Sequence, residues 1–336
     1  MIIAVTGSSG FIGSRLCVSL LELGHQVCGL DISSTINKIQ NNNYTSCQVD
    51  ITNYDAIRAI FLLLKPDVIC HLSAKIKVDE SERDPSMYYL HNVIATYNIL
   101  ECAKLNNSKI IFASSTAVYG TPSCTPYKEE DSMVPASVYG STKLIGENMI
   151  KDYSTAYGIN SVIFRFFNAA GGSDIGVPYH LIPRIIYNLS HNITINIYGT
   201  NYPTKDGTCI RDYIHVTDIT DAFSMAIAHL HELDHQNITN TVKVYNLGTE
   251  CGYSVDEIVK RSIHIYSKVF PDVVCKPVVI CDRRKGDPPF LLANCDAVNN
   301  SLGWKARFTI DEIIFDTIKD YMGNYNLEYY KELSSN

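Results

Sequence analysis

No apolar run in the chain's 336 residues approaches the roughly 18 that cross a bilayer, and no charged segment leading into a short apolar stretch marks its start. A membrane-spanning or secreted protein is therefore not expected. Basic residues are in deficit: 28 Lys and Arg against 35 Asp and Glu leave a formal charge of -7. That balance argues against the broad positive surface that nucleic acid or an anionic membrane requires, so any bound anion must be held by a few placed groups. Cysteine is present but unpatterned. The eleven run from Cys17 to Cys295 without a CxxC pair, which implies neither a disulfide framework nor a zinc ribbon and fits a reducing cytoplasm. Internal repeats, low-complexity tracts and flexible linkers are also missing.

What is present is a repeating order of short apolar runs and helical patterns. IIAV, QVCGLD, TSCQVD, DVICHLS, KIIFASS and NSVIFRFFN alternate with segments such as Phe11 to Gly24 and Tyr54 to Leu64. Strands this apolar are buried on both faces, which predicts an α/β fold: a Rossmann-type doubly wound parallel sheet with helices on each side. From about Gly171 the pattern loosens and prolines interrupt it, predicting a smaller C-terminal α+β substrate lobe over 171–336 after a dinucleotide-binding domain over 1–170. A strand near Val242 to Gly248 is expected to return to the main sheet.

The first strand runs into Thr6-Gly7-Ser8-Ser9-Gly10-Phe11-Ile12-Gly13, after which an apolar helical face begins. Three glycines so spaced between strand and helix allow a tight turn, close backbone approach to a pyrophosphate and close helix packing, with the helix N-terminus attracting the anion. Asp31, at the end of the second strand, can hydrogen-bond an adenosine ribose and repel a 2′-phosphate, which favours NAD over NADP. Asp50 and Ile51 end the third strand at the same sheet edge, where they can neighbour the adenine; a plain strand-end turn explains Asp50 almost as well.

The fifth strand ends in Ser114-Ser115-Thr116, and YGSTK, Tyr139 to Lys143, opens a long helix two dozen residues later. At i,i+4 the Tyr and Lys share a helix face, and an ammonium beside a phenol favours the phenolate, a general base for a substrate hydroxyl that a serine can orient. A literal HExxH, His231 to His235, falls at the polar end of a helix with no third ligand at a fixed spacing. It reads as solvated histidines complementing a helix dipole rather than a metalloprotease, and no metal is expected.

These segments, together with FRFFNAAG, HLIP, IYGTNYPTKDGTCIRDYIHVTDITDA, YNLGTECGYSV, DRRKGDPP and LGWKARFTIDEII, make the chain resemble extended short-chain dehydrogenase/reductases, and within them the UDP-glucose (UDP-galactose) 4-epimerases, along nearly its whole length. The YPTKDGTCIRDYIHV block carries the finer match. The resemblance implies Ser115 as the orienting hydroxyl, Tyr139 as acid and base, and Lys143 as its electrostatic partner and nicotinamide-ribose ligand. Gly7, Gly10, Phe11, Ile12, Gly13, Asp31, Leu72, Asn92 and Phe167 would border NAD. Asn168, His180, Leu181, Arg211, Tyr213, Arg284 and Asp287 would hold the nucleotide diphosphate of a UDP-sugar, two arginines suiting one diphosphate. Oxidation at the sugar's C4, rotation of the 4-keto sugar and re-reduction would interconvert UDP-galactose and UDP-glucose.

Three departures stand out. The stretch between Asn168 and His180 is shorter than the family's usual loop; HLSAKIKV differs after the fourth strand, leaving Lys75 and Lys77 without roles; and Leu291 stands where the family excludes or admits an N-acetylated sugar. An N-acetylhexosamine or pentose 4-epimerase is the nearest alternative. A 4,6-dehydratase would need acidic residues where Ser115-Thr116-Ala117 stands, and a dinucleotide sensor would have no reason to keep Ser115, Tyr139 and Lys143 together. The family further implies a homodimer through helices near Tyr88 to Asn106 and Ser137 to Tyr157.

Overall fold

A computed structural model describes residues 1–33, 39–121, 125–172, 178–273, 275–284 and 287–323. Its elements run β1 (Ile2–Thr6), α1 (Phe11–Glu22), β2 (Gln26–Asp31), β3 (Tyr44–Gln48), α2 (Tyr54–Leu64), β4 (Val68–His71), α3 (Val78–Arg83), α4 (Pro85–Tyr88), a π-helical turn (Tyr89–Ile94), α5 (Ala95–Asn106), β5 (Lys109–Ser115), α6 (Val138–Tyr157), β6 (Ser161–Phe166) and β7 (Asn168–Ala170). They continue with α7 (Leu181–Ser190), β8 (Asn196–Tyr198), β9 (Ile210–His215), α8 (Val216–His235), β10 (Val242–Leu247), β11 (Gly252–Ser254), α9 (Val255–Val269), β12 (Val279–Cys281), β13 (Phe290–Leu291), α10 (Asp296–Leu302) and α11 (Ile310–Met322).

Seven strands form one parallel sheet in the order β10-β6-β5-β4-β1-β2-β3. Side-chain alternation explains why it is covered twice. Ile3 and Val5 face one way, toward Leu16 and Leu20 of α1 and Phe223 and Ile227 of α8. Ala4 between them faces the other way, toward Ile57 and Phe61 of α2 and Ile99 and Ala103 of α5. The chain moves outward from β1 to β2 and β3, then returns to place β4 on the other side of β1. This reversal opens a crevice at the carboxyl ends of β1 and β4, where doubly wound folds take their ligands.

β10 is paired along β6 from Val242 beside Ser161 to Leu247 beside Phe166. The remaining late segments form a smaller layer: β7, β9, β11 and β13 in one sheet, β8 with β12 in another, and α7, α9 and α11 around Ile182, Ile186, Ile258, Ile314 and Ile318. Capping boxes start α9 (Ser254 with Glu257) and α11 (Thr309 with Glu312), meeting first-turn amides that would otherwise lack partners. The single tryptophan, Trp304, is buried and donates to Asp218 O at 2.9 Å, tying the later segments to α8.

Two polar networks lie inside the sheet layer. Arg165 of β6 is 1% exposed and Glu147 of α6 is 0% exposed. They form a bidentate pair, Nε to Oε1 at 2.9 Å and Nη2 to Oε2 at 2.7 Å. Ser114 Oγ donates to Glu147 Oε1 at 2.6 Å, and Arg165 Nη1 donates to Tyr119 Oη at 2.8 Å and to Glu129 O at 2.9 Å. Tyr119 in turn donates to Asn246 Oδ1 of β10 at 2.7 Å. The second network centres on His71, with Thr6 Oγ1 2.8 Å from Nδ1 and Thr96 Oγ1 3.0 Å from Nε2. Thr96 donates its own proton to Asn92 O, so it accepts from Nε2–H; Thr6 Oγ1 accepts from the amides of Leu72 and Ser73, so its proton goes to Nδ1. His71 is thus neutral, and burial, with Lys143 nearby, lowers it from 6.5 to about 3.

Removing one member of the buried pair strands the other charge. Arg165→Met or Glu147→Leu alone is expected to lose about 3–5 kcal/mol in urea unfolding, whereas the double variant recovers most of that loss. For His71, the unfolded chain binds a proton between pH 6.5 and about 3 that the native state does not. Stability is therefore lost as pH falls through that window, and the slope in wild type should exceed that in His71→Gln by up to about 1.4 kcal/mol per pH unit. Equal slopes from pH-dependent denaturation curves would refute this assignment.

Candidate active site

The glycine turn occupies the crevice between β1 and β4. Gly7 has φ +70° and its amide donates to Leu30 O at 2.8 Å, drawing the turn over β2. A Cβ on Gly13 would lie 2.1 Å from Gly7 O, so α1 can seat this closely only with glycine there. Gly10 begins α1 without a side-chain cap, and no acidic residue stands in the first turn. The amide end over Phe11, Ile12 and Gly13 is thereby left for an anion. Asp31 accepts from Ser9 N and Ser33 N, each at 2.9 Å, which ties the end of β2 to the turn. This cradle fits a dinucleotide diphosphate with a ribose beside Asp31.

Asp50 and Ile51 follow β3 at the same edge. Asp50 Oδ1 accepts from Thr52 N at 2.9 Å and Thr52 Oγ1 at 2.8 Å, a turn that leads into α2. Ile51 is buried, and its carbonyl accepts from Asn98 Nδ2 at 3.0 Å. Leu72 is held by its amide to Thr6. Asn92 lies in the π-helical turn and brackets the next loop: Oδ1 accepts from Lys75 N at 2.8 Å, while Nδ2 donates to Lys75 O and to Thr142 Oγ1 of α6, both at 3.0 Å. Phe167 is buried 6.4 Å from Tyr127, centroid to centroid.

Ser115 ends β5, its Oγ accepts from Ala117 N at 3.2 Å, and its hydroxyl lies close enough to the Tyr139 phenol to favour the phenolate. Tyr139 is 9% exposed and Lys143 4%. Burial pushes the Tyr139 phenol up to about 12, with the Ser115 hydroxyl opposing the rise and Tyr179 adding to it. Lys143 does not face the phenol as the i,i+4 spacing suggested. Its Nζ donates to Ala113 O at 2.7 Å and lies 4.9 Å from the centroid of Phe112, and burial pulls the amine down to about 7, against the attraction of Glu147. Both groups therefore favour their neutral forms.

The later layer faces this edge through β9. Asn168 of β7 lies beside Tyr213, and its Nδ2 donates to Asp212 O at 3.0 Å. Arg211, 8% exposed, donates to Asp287 Oδ1 at 2.7 Å, and β13 sets Leu291 beside it. Tyr213 is buried, which raises its phenol. Arg284 stacks on Tyr198 at 4.2 Å and acts on Tyr179, the residue that acts on Tyr139. His180 caps the start of α7, and Leu181 packs into its core. Within the short stretch between Asn168 and His180, residues 173–177 lie outside the described residues.

Several contributors are absent from the motif reading. Ser81 Oγ accepts from Tyr139 N at 3.1 Å and Glu82 Oε1 from Val138 N at 2.8 Å, so α3 caps the helix that carries the phenol. Nothing local in the sequence marks that contact. Glu147 and Arg165 did leave signals: Glu147 stands four residues after Lys143, on the same helix face, and Arg165 is a lone charge in the apolar strand IFRFF. The HExxH segment ends α8 near Lys109, at the opposite edge of the sheet from this site. Among the described residues no group of three or more His, Cys, Asp or Glu side chains could hold a metal ion. None of their helices is long and apolar enough to cross a membrane.

Comparison with known proteins agrees with this geometry. A model described as "NAD dependent epimerase/dehydratase family" matches residues 3–248. A UDP-glucose 4-epimerase of Halalkalibacterium halodurans is 34% identical over 338 residues, covering 98% of this chain and 96% of the relative. A crystal structure of UDP-glucose 4-epimerase from Brucella ovis in complex with NAD superposes with a TM-score of 0.84 at 35% identity, covering 94% of this chain and 97% of that one. The corresponding enzyme from Bifidobacterium longum in complex with NAD+ and UDP gives 0.85 at 31% identity, covering 96% and 99%. With the glycine turn, Asp31, Ser115 and Tyr139 gathered at one edge of its sheet, the chain belongs to the NAD dependent epimerase/dehydratase family.

Proposed function

We propose that the protein is a UDP-glucose 4-epimerase, interconverting UDP-galactose and UDP-glucose with NAD. The observation that carries this reading is the grouping of Ser115, at the end of β5, with the buried Tyr139 of α6 at the carboxyl edge of the sheet, between the glycine cradle and the arginines of the later layer. NAD, when bound, supplies a reversible two-electron acceptor beside the sugar's C4. The cradle amides from Gly7 to Gly13 hold its diphosphate and Asp31 its adenosine ribose. Asp50 and Ile51 border the adenine, while Leu72, Asn92 and Phe167 line the pocket. Residues 1–170 thus serve chiefly the cofactor and 171–336 the substrate.

Tyr139 Oη takes the proton of the sugar's 4-hydroxyl and returns it on the opposite face, with Ser115 orienting that hydroxyl. A phenol held at about 12 ionises near neutrality only when a cation faces it. Lys143 is the protein's own source of that charge, and its Nζ, now on the Ala113 carbonyl, would hold the nicotinamide ribose when NAD is bound. Arg211 and Arg284 neutralise the UDP diphosphate. Asp287, already paired with Arg211, accepts from the ribose together with Asn168, His180, Leu181 and Tyr213 around it. Leu291 stands beside Arg211 on β13, where its intermediate size meets the sugar end of the nucleotide in this reading.

A homodimer is supported by an exposed apolar face. Tyr89, Leu90 and Ile94 of the π-helical turn, Tyr97 and Leu105 of α5 and Tyr157 of α6 are all exposed large hydrophobics. The ten free thiols among the described residues suit the cytoplasm.

Proton NMR time courses with UDP-galactose, UDP-N-acetylgalactosamine and UDP-arabinopyranose in parallel are expected to show UDP-glucose forming from the first without net NAD consumption. Turnover of the second alone would overturn the substrate assignment. Tyr139→Phe is expected to lower kcat by about 10²–10⁴-fold while the protein still binds NAD; unchanged turnover would sink the mechanism. Lys143→Met is expected to move the acid limb of the kcat profile to higher pH, because the phenolate loses its cation.

A further inference from the structure

The one motif not absorbed by the active site is His231-Glu232-Leu233-Asp234-His235. Its two histidines lie one turn apart on the exposed end of α8, with Nε2 atoms 3.0 Å apart and ring planes inclined at 70°. The site is at the carboxyl end of a 20-residue helix, where the helix dipole favours a cation, and Glu232 is exposed beside it. Asp234 is engaged elsewhere, with Lys109.

We propose that His231 and His235 form a two-imidazole surface site for a divalent first-row transition cation, with water completing its coordination. Each ring can be neutral with Nδ1–H turned to water, leaving both Nε2 lone pairs for one ion. The spacing bears on the geometry. Two nitrogens about 2.1 Å from a metal are about 3.0 Å apart when they subtend a right angle, and about 3.4 Å apart at a tetrahedral angle. The observed 3.0 Å, spanned by an N–H···N bond when no ion is bound, also matches neighbouring positions in an octahedral or tetragonal ion, and the affinity order of imidazole sites for divalent cations then favours Ni2+ or Cu2+. Among the described residues no third protein ligand joins the two histidines, so the site lacks the ligand set of a zincin centre. An ion bound here bridges residues four apart and fixes the last turn of α8, and because only the folded helix brings the rings together it stabilises the native state.

Titration calorimetry of the untagged, NAD-loaded protein with NiCl2 and separately with ZnCl2 tests the proposal, with wild type beside His231→Gln, His235→Gln and the double variant. The expected result is one equivalent of Ni2+ that binds more tightly than Zn2+, raises Tm and is weakened at least tenfold in either single variant. The metal-free variants should keep the wild-type Tm and epimerase rate, since both side chains are solvent-exposed and lie at the far edge of the sheet. An unchanged nickel isotherm in the double variant would overturn the site, and tighter binding of zinc would overturn its right-angled geometry.

Discussion

The buried pair between Glu147 and Arg165 constrains everything built at the carboxyl edge of the sheet. A guanidinium with 1% exposure is tolerable only if its donors are met, and here they reach α6, the segment after β5 and, through Tyr119, β10. The carboxylate is matched by Ser114 as well as by the arginine. Ser114 immediately precedes Ser115, and Glu147 lies one helical turn beyond Lys143, itself one turn beyond Tyr139. The charge pair thus sets the angle at which α6 crosses β5 and β6, and with it the meeting of the serine and tyrosine hydroxyls. Low dielectric strengthens this bond and equally punishes its loss, which is how one interaction can hold four elements in register.

The same burial sets the resting electrostatics of the site. Desolvation moves the tyrosine and the lysine in opposite directions, the phenol to about 12 and the amine to about 7, and each shift favours the uncharged form. His71 follows the same rule one strand away. The Tyr139–Lys143 end therefore favours uncharged groups, while the paired guanidinium and carboxylate of Arg211 and Asp287 lie in the later layer.

Much of the fold was legible because it rests on local chemistry. Apolar strands alternating with amphipathic helices can be buried only in a doubly covered parallel sheet, and the glycine spacing is dictated by how closely α1 approaches β1. Tyr139 and Lys143 were legible from motif and position, and the strand at Val242 from its apolar run. The orientation of Lys143 was not, since i,i+4 spacing places two side chains on one face but does not say which partner a long chain will choose; the Ala113 carbonyl wins here. Nor could any spacing show that α3 caps α6 through Ser81 and Glu82, a contact between segments 58 and 56 residues apart. Asp50 was undecided in the sequence, and in the structure its Oδ1 closes the Thr52 turn at that same edge of the sheet.

The sequence by itself determined the layer architecture, the glycine turn and the placing of Tyr139 and Lys143 on one helix, because each depends on neighbours within one turn, one strand or one strand-to-helix junction. Tertiary structure alone decided how the side chains are partnered: Arg165 with Glu147, Thr6 and Thr96 with His71, Arg211 with Asp287 beside Leu291. Those choices follow from which groups are desolvated together, and desolvation is a property of the packed molecule that no stretch of chain possesses before it folds.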